Sequence, residues 1–325
     1  MTPPTAYLAS LTDISVWLVI SSHRNDDEVM QILTHVHESA SKTFDRILIV
    51  DSEGIGTLPT LIRDRGWQDV DYRCYSQNLG SGGNLCERLR LAAEGGADYA
   101  YAINHDGNFD RETYAKLINA AASISNVGAV YPLSLFTSAG RYNLTGTREL
   151  PLPAKLVSKP PEASLIDVFW SSSNGALYSL TPAKRGILPW PIMWMAWEDL
   201  EYGWRLASNR YRQVIVCDAV YQDNYEYAQS WLGNTADKPA WRTYYNVRNL
   251  ILAVRRSRNT PLFYAAVCYR LLREFALIVL AKNAKIERLG CLFRGTLDAW
   301  RTKIDRSDNF PRGPGKFQEA TPTSR

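Results

Sequence analysis

The stretch Ala97-Asp98-Tyr99-Ala100-Tyr101-Ala102-Ile103-Asn104-His105-Asp106-Gly107-Asn108-Phe109-Asp110 decides how this chain folds. Its first half is a short apolar run of the kind that forms a strand buried on both faces. Its second half is polar and acidic, which makes it the loop at that strand's carboxyl end. Open α/β sheets keep their ligands at such loops. A hard divalent cation needs oxygen ligands of this kind and commonly shares them with a substrate's phosphates. The cluster therefore points to a metal–diphosphate site centred on Asp106, although Asn stands at 104 where another carboxylate would strengthen it. Asp110 is placed to cap the following helix.

The flanking sequence repeats the same grammar. Ile14–Ile20 and Arg46–Val50 are apolar runs that end in polar residues, and Val70–Tyr75 is a third strand candidate. Between them Asp26–Ser41 has Val29, Ile32, Leu33 and Val36 at helical spacing, and Leu58–Arg65 is a shorter helix. Helices are further expected over Leu85–Ala93 and Glu112–Ser123, with a strand over Gly128–Pro132. Strands alternating with helices imply a mostly parallel sheet with right-handed crossovers. The loops Ser21–Asn25, Asp51–Gly54, Gln77–Asn84 and Asn104–Asp110 then fall at one edge. The second half changes character: a hairpin over Tyr142–Leu156, strands at Asp167–Trp170, Ala176–Leu180 and Gln213–Cys217, and a helix over Trp197–Ser208. Beyond Lys238 the pattern is helical, over Trp241–Arg256, Leu262–Lys282 and Ile286–Ile304.

Composition sets limits. The 325 residues are 46% hydrophobic and 22% charged, enough for one large domain with an extension and too apolar for a disordered chain. A net charge of +4 does not call for nucleic acid as a partner. Five cysteines without a C-x-x-C pair fit reduced structural thiols. The four histidines form no H-E-x-x-H motif, which argues against a zinc hydrolase. Met1–Thr12 lacks a signal-peptide pattern, and Arg270, Arg273 and Glu274 interrupt the apolar stretch Pro261–Ala281, so no spanning helix is expected.

Four further motifs carry chemistry, each with a plainer alternative. Asp51 can accept a hydrogen bond from a nucleobase or ribose, or simply shape a turn. Asn78-Leu79-Gly80-Ser81-Gly82-Gly83-Asn84 precedes a helix and can cradle an anion, or merely cap that helix; its register fails the dinucleotide fingerprint. Trp197-Glu198-Asp199-Leu200-Glu201 offers a general base beside ring-stacking tryptophans, or acids that complement a helix dipole. On a helix Glu198 and Glu201 share a face while Asp199 points about 100° away. Trp190, Trp194, Trp197 and Trp204 can line a sugar site or fill a core. Arg248, in Tyr244-Tyr245-Asn246-Val247-Arg248-Asn249, can reach a diphosphate or lie on a solvated face.

In this order the motifs resemble an inverting glycosyltransferase of the GT-A fold, in the large family-two group, with rhamnosyltransferase-type and galactofuranosyltransferase-type members as the nearest likeness. The likeness covers about Ile14–Arg256. It implies an α/β catalytic domain over 1–240, with a Rossmann-like nucleotide-sugar half (1–135) and an acceptor half (136–240). A helical C-terminal extension (241–304) and a disordered tail (305–325) would follow. By that resemblance Ser21, His23, Asp51, Asn78, Gly80, Gly82, Gly83, Asn84, Asn104 and Arg248 bind the donor. Asn104-His105-Asp106 matches the D-x-D motif, so Asp106 holds Mg²⁺ or Mn²⁺. Glu198-Asp199 matches the E-D motif, whose Asp is the base. Trp170, Asn174, Trp197 and Glu198 are the expected acceptor contacts. Asn104 departs from the pattern. So does Asp218–Asn224, which lacks the His found in many members and leaves Asp223 as a substitute ligand.

The implied partners are a nucleotide-sugar, either dTDP-rhamnose or a UDP-sugar, and a cell-envelope glycan or lipid-linked acceptor. The expected location is the cytoplasm or the inner face of the cell membrane. The C-terminal helices, with Tyr264, Arg270, Arg273, Lys282 and Lys285, are suited to an anionic membrane surface, to capping the domain or to a homo-oligomer interface. The alternative reading is a catalytically silent nucleotide- or glycan-binding protein of the same fold.

Overall fold

The structure is a computed structural model that describes residues 14–38, 43–54, 56–152, 154–223, 239–257, 260–281 and 283–304. The expected tail 305–325, Lys282 and Asn224 lie outside the described residues. The first half alternates as expected: β1 (Val16–Ser22), α1 (Asp26–Glu38), β2 (Arg46–Ser52), α2 (Leu58–Asp64), β3 (Val70–Tyr75), α3 (Gly80–Glu94), β4 (Tyr99–Asn104), α4 (Arg111–Ser123) and β5 (Val127–Phe136). The second half contributes β6 (Arg141–Asn143), β7 (Leu156–Val157), β8 (Leu165–Asp167), β9 (Ala176–Ser179), α5 (Thr181–Lys184), α6 (Glu198–Ser208) and β10 (Arg212–Asp223). Three helices follow: α7 (Trp241–Ser257), α8 (Pro261–Leu280) and α9 (Lys285–Arg301).

One sheet runs in the order β3-β2-β1-β4-β9-β5-β10-β8. Strands β3, β2, β1 and β4 are parallel, and β10 is parallel to β5. β9 is inserted antiparallel between β4 and β5, so the two parallel blocks run the same way on either side of it. The order reverses at β1, with β2 on one side and β4 on the other. That is the switch point at which open α/β sheets form a crevice beyond the strands' carboxyl ends.

The central strands read as unbroken apolar runs because helices cover both faces. In β1, Val16, Leu18 and Ile20 pack with α1, α2 and α4, while Trp17 and Val19 face α3. The same alternation holds in β2, where Ile47 and Ile49 oppose Leu48 and Val50. A third core joins the C-terminal helices to the rest of the chain: Trp190, Met193, Leu200 and Trp204 pack with Val247, Leu250, Ile251, Phe263 and Leu292. Helices α7–α9 thus share a core with the elements around α6.

Two sequence expectations shift. The Gly-rich segment, expected as a loop ahead of a helix at Leu85, is already helical from Gly80. The 193–198 segment packs directly on this first turn, where Gly80 and Gly82 leave room for it. The strand expected at 167–170 is β8, ending at Asp167, because Phe169 and Trp170 turn away to pack against Gly203 of α6.

Candidate active site

The carboxyl ends of β1, β2 and β4 bring the first group of expected residues together. Ser21 Oγ donates to Asn104 Oδ1 at 3.0 Å across the switch point. His23 Nε2 lies 3.2 Å from Glu53 Oε2 and 3.2 Å from Asn78 Nδ2, which ties the loops after β1 and β2 to the start of α3. Arg24 adds a 3.4 Å ion pair to the same Glu53.

Asp51 ends β2 with no solvent exposure. Tyr72 donates its phenol to Asp51 Oδ2 at 2.7 Å, and Oδ1 has no hydrogen-bond partner among the described residues. Burial pushes the Asp51 carboxyl up, against the opposing effect of Tyr72. Gly54 is required beside it, since a Cβ there would fall 2.1 Å from Asp51 Oδ2. A buried acceptor with one free oxygen suits a ligand N–H or hydroxyl.

The glycines after Asn78 admit protein backbone at close range. Gly80 has φ +65°, and a Cβ on it would lie 1.9 Å from the Trp194 carbonyl oxygen. Gly82 N donates to that same carbonyl at 3.4 Å, and its missing Cβ would meet Glu198 Cβ at 3.3 Å. Gly83 would meet Leu79. These positions let the segment bearing Glu198 and Asp199 pack directly on α3. Asn78 closes the turn by accepting from Gly80 N at 2.8 Å, and its carbonyl accepts from Trp194 Nε1 at 2.9 Å. Asn84 is turned to the sheet, where Nδ2 donates to Val50 O at 2.8 Å and Ser52 Oγ at 3.4 Å.

The acidic helix start separates into three roles. Glu201 is fully buried between Arg205, at 2.8 Å, and Arg256 of α7, at 3.4 Å, so it is a structural ion pair. Glu198 and Asp199 each keep one oxygen without a hydrogen-bond partner among the described residues. Burial pushes both carboxyls above the usual range. Glu198 is pushed further, because the Asp199 charge adds to burial. Asp199 is restrained by hydrogen bonds from Ser173 and by the charge of Arg88.

Arg88 is a site residue that the sequence reading missed. It is buried and donates to Val19 O at 3.1 Å and Ile103 O at 2.9 Å, behind the switch point. Its signal was its position on the apolar face of α3, with Leu85, Leu89 and Ala92. A charge placed there must have partners.

Glu198 and Asp199 follow two consecutive residues in the left-handed region, Ala196 (φ +68°) and Trp197 (φ +67°). Non-glycine residues hold this conformation at a cost of about 1–3 kcal/mol each, and only where surroundings enforce it. Asn249 enforces it: its Nδ2 is placed to donate to Met193 O (3.1 Å), Met195 O (2.7 Å) and Ala196 O (3.0 Å). Trp197 Nε1 donates to Asn246 O at 3.0 Å, and Arg248 donates to Ile192 O and to Asn249 Oδ1. Arg248, expected at the diphosphate, thus spends its guanidinium on the protein, stacked on Tyr244 and Tyr245. The segment around it braces the loop that carries the acids.

Among the tryptophans, Trp190 and Trp204 are core. Trp194 caps the glycine turn. Trp170 and Trp197 remain half-buried, ring to ring at 6.4 Å, beside the acid pair. Asn174, expected at the acceptor, ties the turn before β9 to the acidic turn: its Oδ1 accepts from Asn104 N and from Tyr221 Oη, both at 3.1 Å. Tyr221, also unforeseen, accepts from Asn108 N at 3.0 Å. Because Ser173 reaches Asp199 and Asn174 reaches Asn104, one short segment links the base candidate to the end of β4.

A divalent cation would find a sparse donor set. Among the described residues no group of three His, Cys, Asp or Glu side chains is gathered for a metal. Asp106 is exposed, and the charges of Asp106 and Asp223 both bear on the Tyr221 phenol. Mg²⁺-type sites use one or two carboxylates and complete their shell with substrate phosphates and water. The residues fit a metal of that kind and no closed protein cage.

No protein-family model and no curated protein matches the chain. Solved structures do. A mannosyltransferase of Pyrobaculum calidifontis, in complex with GDP-Man and Mn²⁺, is 13% identical over 92% of this chain and 83% of its own, with a TM-score of 0.53. TarS 1–349 of S. aureus, in complex with UDP-GlcNAc, is 13% identical over 88% of this chain and 80% of its own, with a TM-score of 0.57. At that identity the likeness establishes architecture: the chain has the GT-A fold of these glycosyltransferases.

Proposed function

We propose that the chain is an inverting glycosyltransferase that moves a sugar from a nucleoside-diphosphate sugar to a hydroxyl of a cell-envelope glycan or lipid-linked acceptor. The observation that carries the proposal is Asp199. It is a half-buried carboxylate with a raised pKa and one enclosed, unpartnered oxygen, joined through Ser173-Asn174 to the switch point of the sheet. A general base needs that combination of reach and tuned basicity. The two structural neighbours bind GDP-Man and UDP-GlcNAc, which supports a nucleotide-sugar donor at the corresponding crevice. The donor favoured for this chain is dTDP-rhamnose or a UDP-sugar, with Asp51 receiving a base or ribose donor.

Asp199 takes the proton of the acceptor hydroxyl as that oxygen attacks the anomeric carbon. The bond to the nucleoside diphosphate breaks in the same step and the diphosphate leaves with the electron pair, so configuration inverts. Trp170 and Trp197, half-buried and edge to face, would border the acceptor with their exposed parts. Asp106, with Asp223 as a second carboxylate, would hold Mg²⁺ or Mn²⁺, which supplies charge neutralisation for the departing diphosphate.

Asp199→Asn is expected to lower transfer by about 10²–10⁴-fold while leaving donor binding by calorimetry nearly unchanged. Undiminished turnover in that variant removes the base assignment. The competing reading, a silent binding protein, is favoured by Asn104 in place of Asp. It predicts nucleotide-sugar binding with neither transfer nor hydrolysis in the wild type.

A further inference from the structure

Helix α8 is built inside out. Its charged residues turn inward: Arg270 lies 4.9 Å over the Trp197 ring, and Arg273 pairs with Glu274 at 3.5 Å. Its outward face carries Leu262, Tyr269, Leu272, Phe275 and Val279, with no exposed charged side chain along all 20 residues. Leu272 is 70% exposed. Helix α9 continues this surface with Ile286, Phe293, Leu297 and Trp300. The two helices are close neighbours, since Tyr264 near the start of α8 stacks on Trp300 near the end of α9. A surface helix ordinarily shows the reverse polarity, and contiguous exposed apolar patches of this kind mark an interaction site.

Charge selects what covers the patch. The exposed charges on and just after α9 are Lys285, Arg294, Arg301 and Lys303 against Glu287 alone. A second copy meeting this face about a two-fold axis would bring like charges together. Anionic headgroups would meet cations flanking an apolar, aromatic-bearing face, which is the pattern of a helix lying in the membrane interface. Among the described residues no helix is long and apolar enough to cross a membrane. The basic residues named from sequence are redistributed accordingly: Arg270 and Arg273 face the protein, and α9 supplies the rim.

We infer that the outward faces of α8 and α9 form a docking surface for an anionic lipid bilayer. The inward face of α8 touches Trp197, next to Glu198 and Asp199, so the docked surface lies one helix layer from the candidate base. The test is co-sedimentation of the full chain with vesicles of phosphatidylcholine, with and without phosphatidylglycerol. It is read without donor or acceptor, so it stands apart from the reaction assigned above. The wild type is expected to bind the phosphatidylglycerol vesicles, and Leu272→Glu and Phe293→Glu to bind about 10-fold or more weakly with unchanged circular dichroism and melting temperature. Arg294→Gln with Arg301→Gln should weaken binding only where phosphatidylglycerol is present. Absence of vesicle binding by the wild type overturns the proposal. So does equal binding by Leu272→Glu, or a wild-type dimer that Leu272→Glu converts to a monomer while neither binds vesicles.

Discussion

Glu198 and Asp199 are adjacent carboxyls on one helix turn and both have hydrogen bonds that favour their charge, but only Asp199 also has a guanidinium to favour it, while Glu198 is opposed by the Asp199 charge. Asp199 therefore ionises first, and Glu198 keeps its proton longer. A carboxyl whose folded pKa is raised stabilises the fold fully below its unfolded value, about 4.3 for Glu, and loses that contribution as pH climbs through the raised one. Wild-type stability should thus fall as pH rises from about 4.3 to about 8, and Glu198→Gln, which mimics the protonated form, should lose less over that range in urea titrations. The acidic limb of the rate profile, set by Asp199, should stay in place in that variant and lie above the ordinary Asp value. The positions of Asp199 and Asp51, at a helix start and a strand end, were legible in the sequence because element boundaries fall at predictable places. Arg88 and Tyr221 were not, because their work is to hold main chain brought from distant segments, and one sequence does not show which carbonyl or amide will need a partner.

The 190–197 segment shows how an element can be read correctly in position and differently in purpose. The glycines of α3 looked like an anion cradle; in the fold, Gly80 and Gly82 admit the Trp194 carbonyl and Glu198 to close range. Tyr245–Asn249 looked like a phosphate arm; in the fold, Asn249 gathers three carbonyls beneath a left-handed pair of residues. Sequence carries residue type and period, and both segments had the right type for either job. Asn249→Ala should destabilise the chain by about 2–4 kcal/mol, because buried carbonyls lose their donor and the strained pair loses its brace. It should also lower kcat about 10-fold or more with little change in donor affinity, since the base moves while the nucleotide pocket does not. Chemical denaturation together with steady-state kinetics checks both. An unchanged kcat would separate the brace from the chemistry.

At the scale of the whole molecule, strand period and helix spacing were enough for a mostly parallel α/β core, whereas the strand order that puts the switch point at β1 is seen only in the fold. The antiparallel β9 between two parallel blocks was not legible, since pairing partners are set by tertiary contacts that a short apolar segment does not encode. The inverted polarity of α8 was hidden for a related reason: a helix with apolar and charged faces does not say which one looks inward. In the proposed reading the nucleotide lies at Asp51, on one side of the switch point, and the acceptor hydroxyl at Asp199, on the other. The most direct test of that arrangement is a thermal-shift titration of the wild type and Asp51→Asn with UDP-, dTDP- and GDP-sugars in the presence of Mn²⁺. One nucleotide class is expected to raise the wild-type melting temperature by about 2 °C or more and to do much less for Asp51→Asn. Failure of every nucleotide-sugar to shift the wild type, or an equal shift in the variant, would contradict the account.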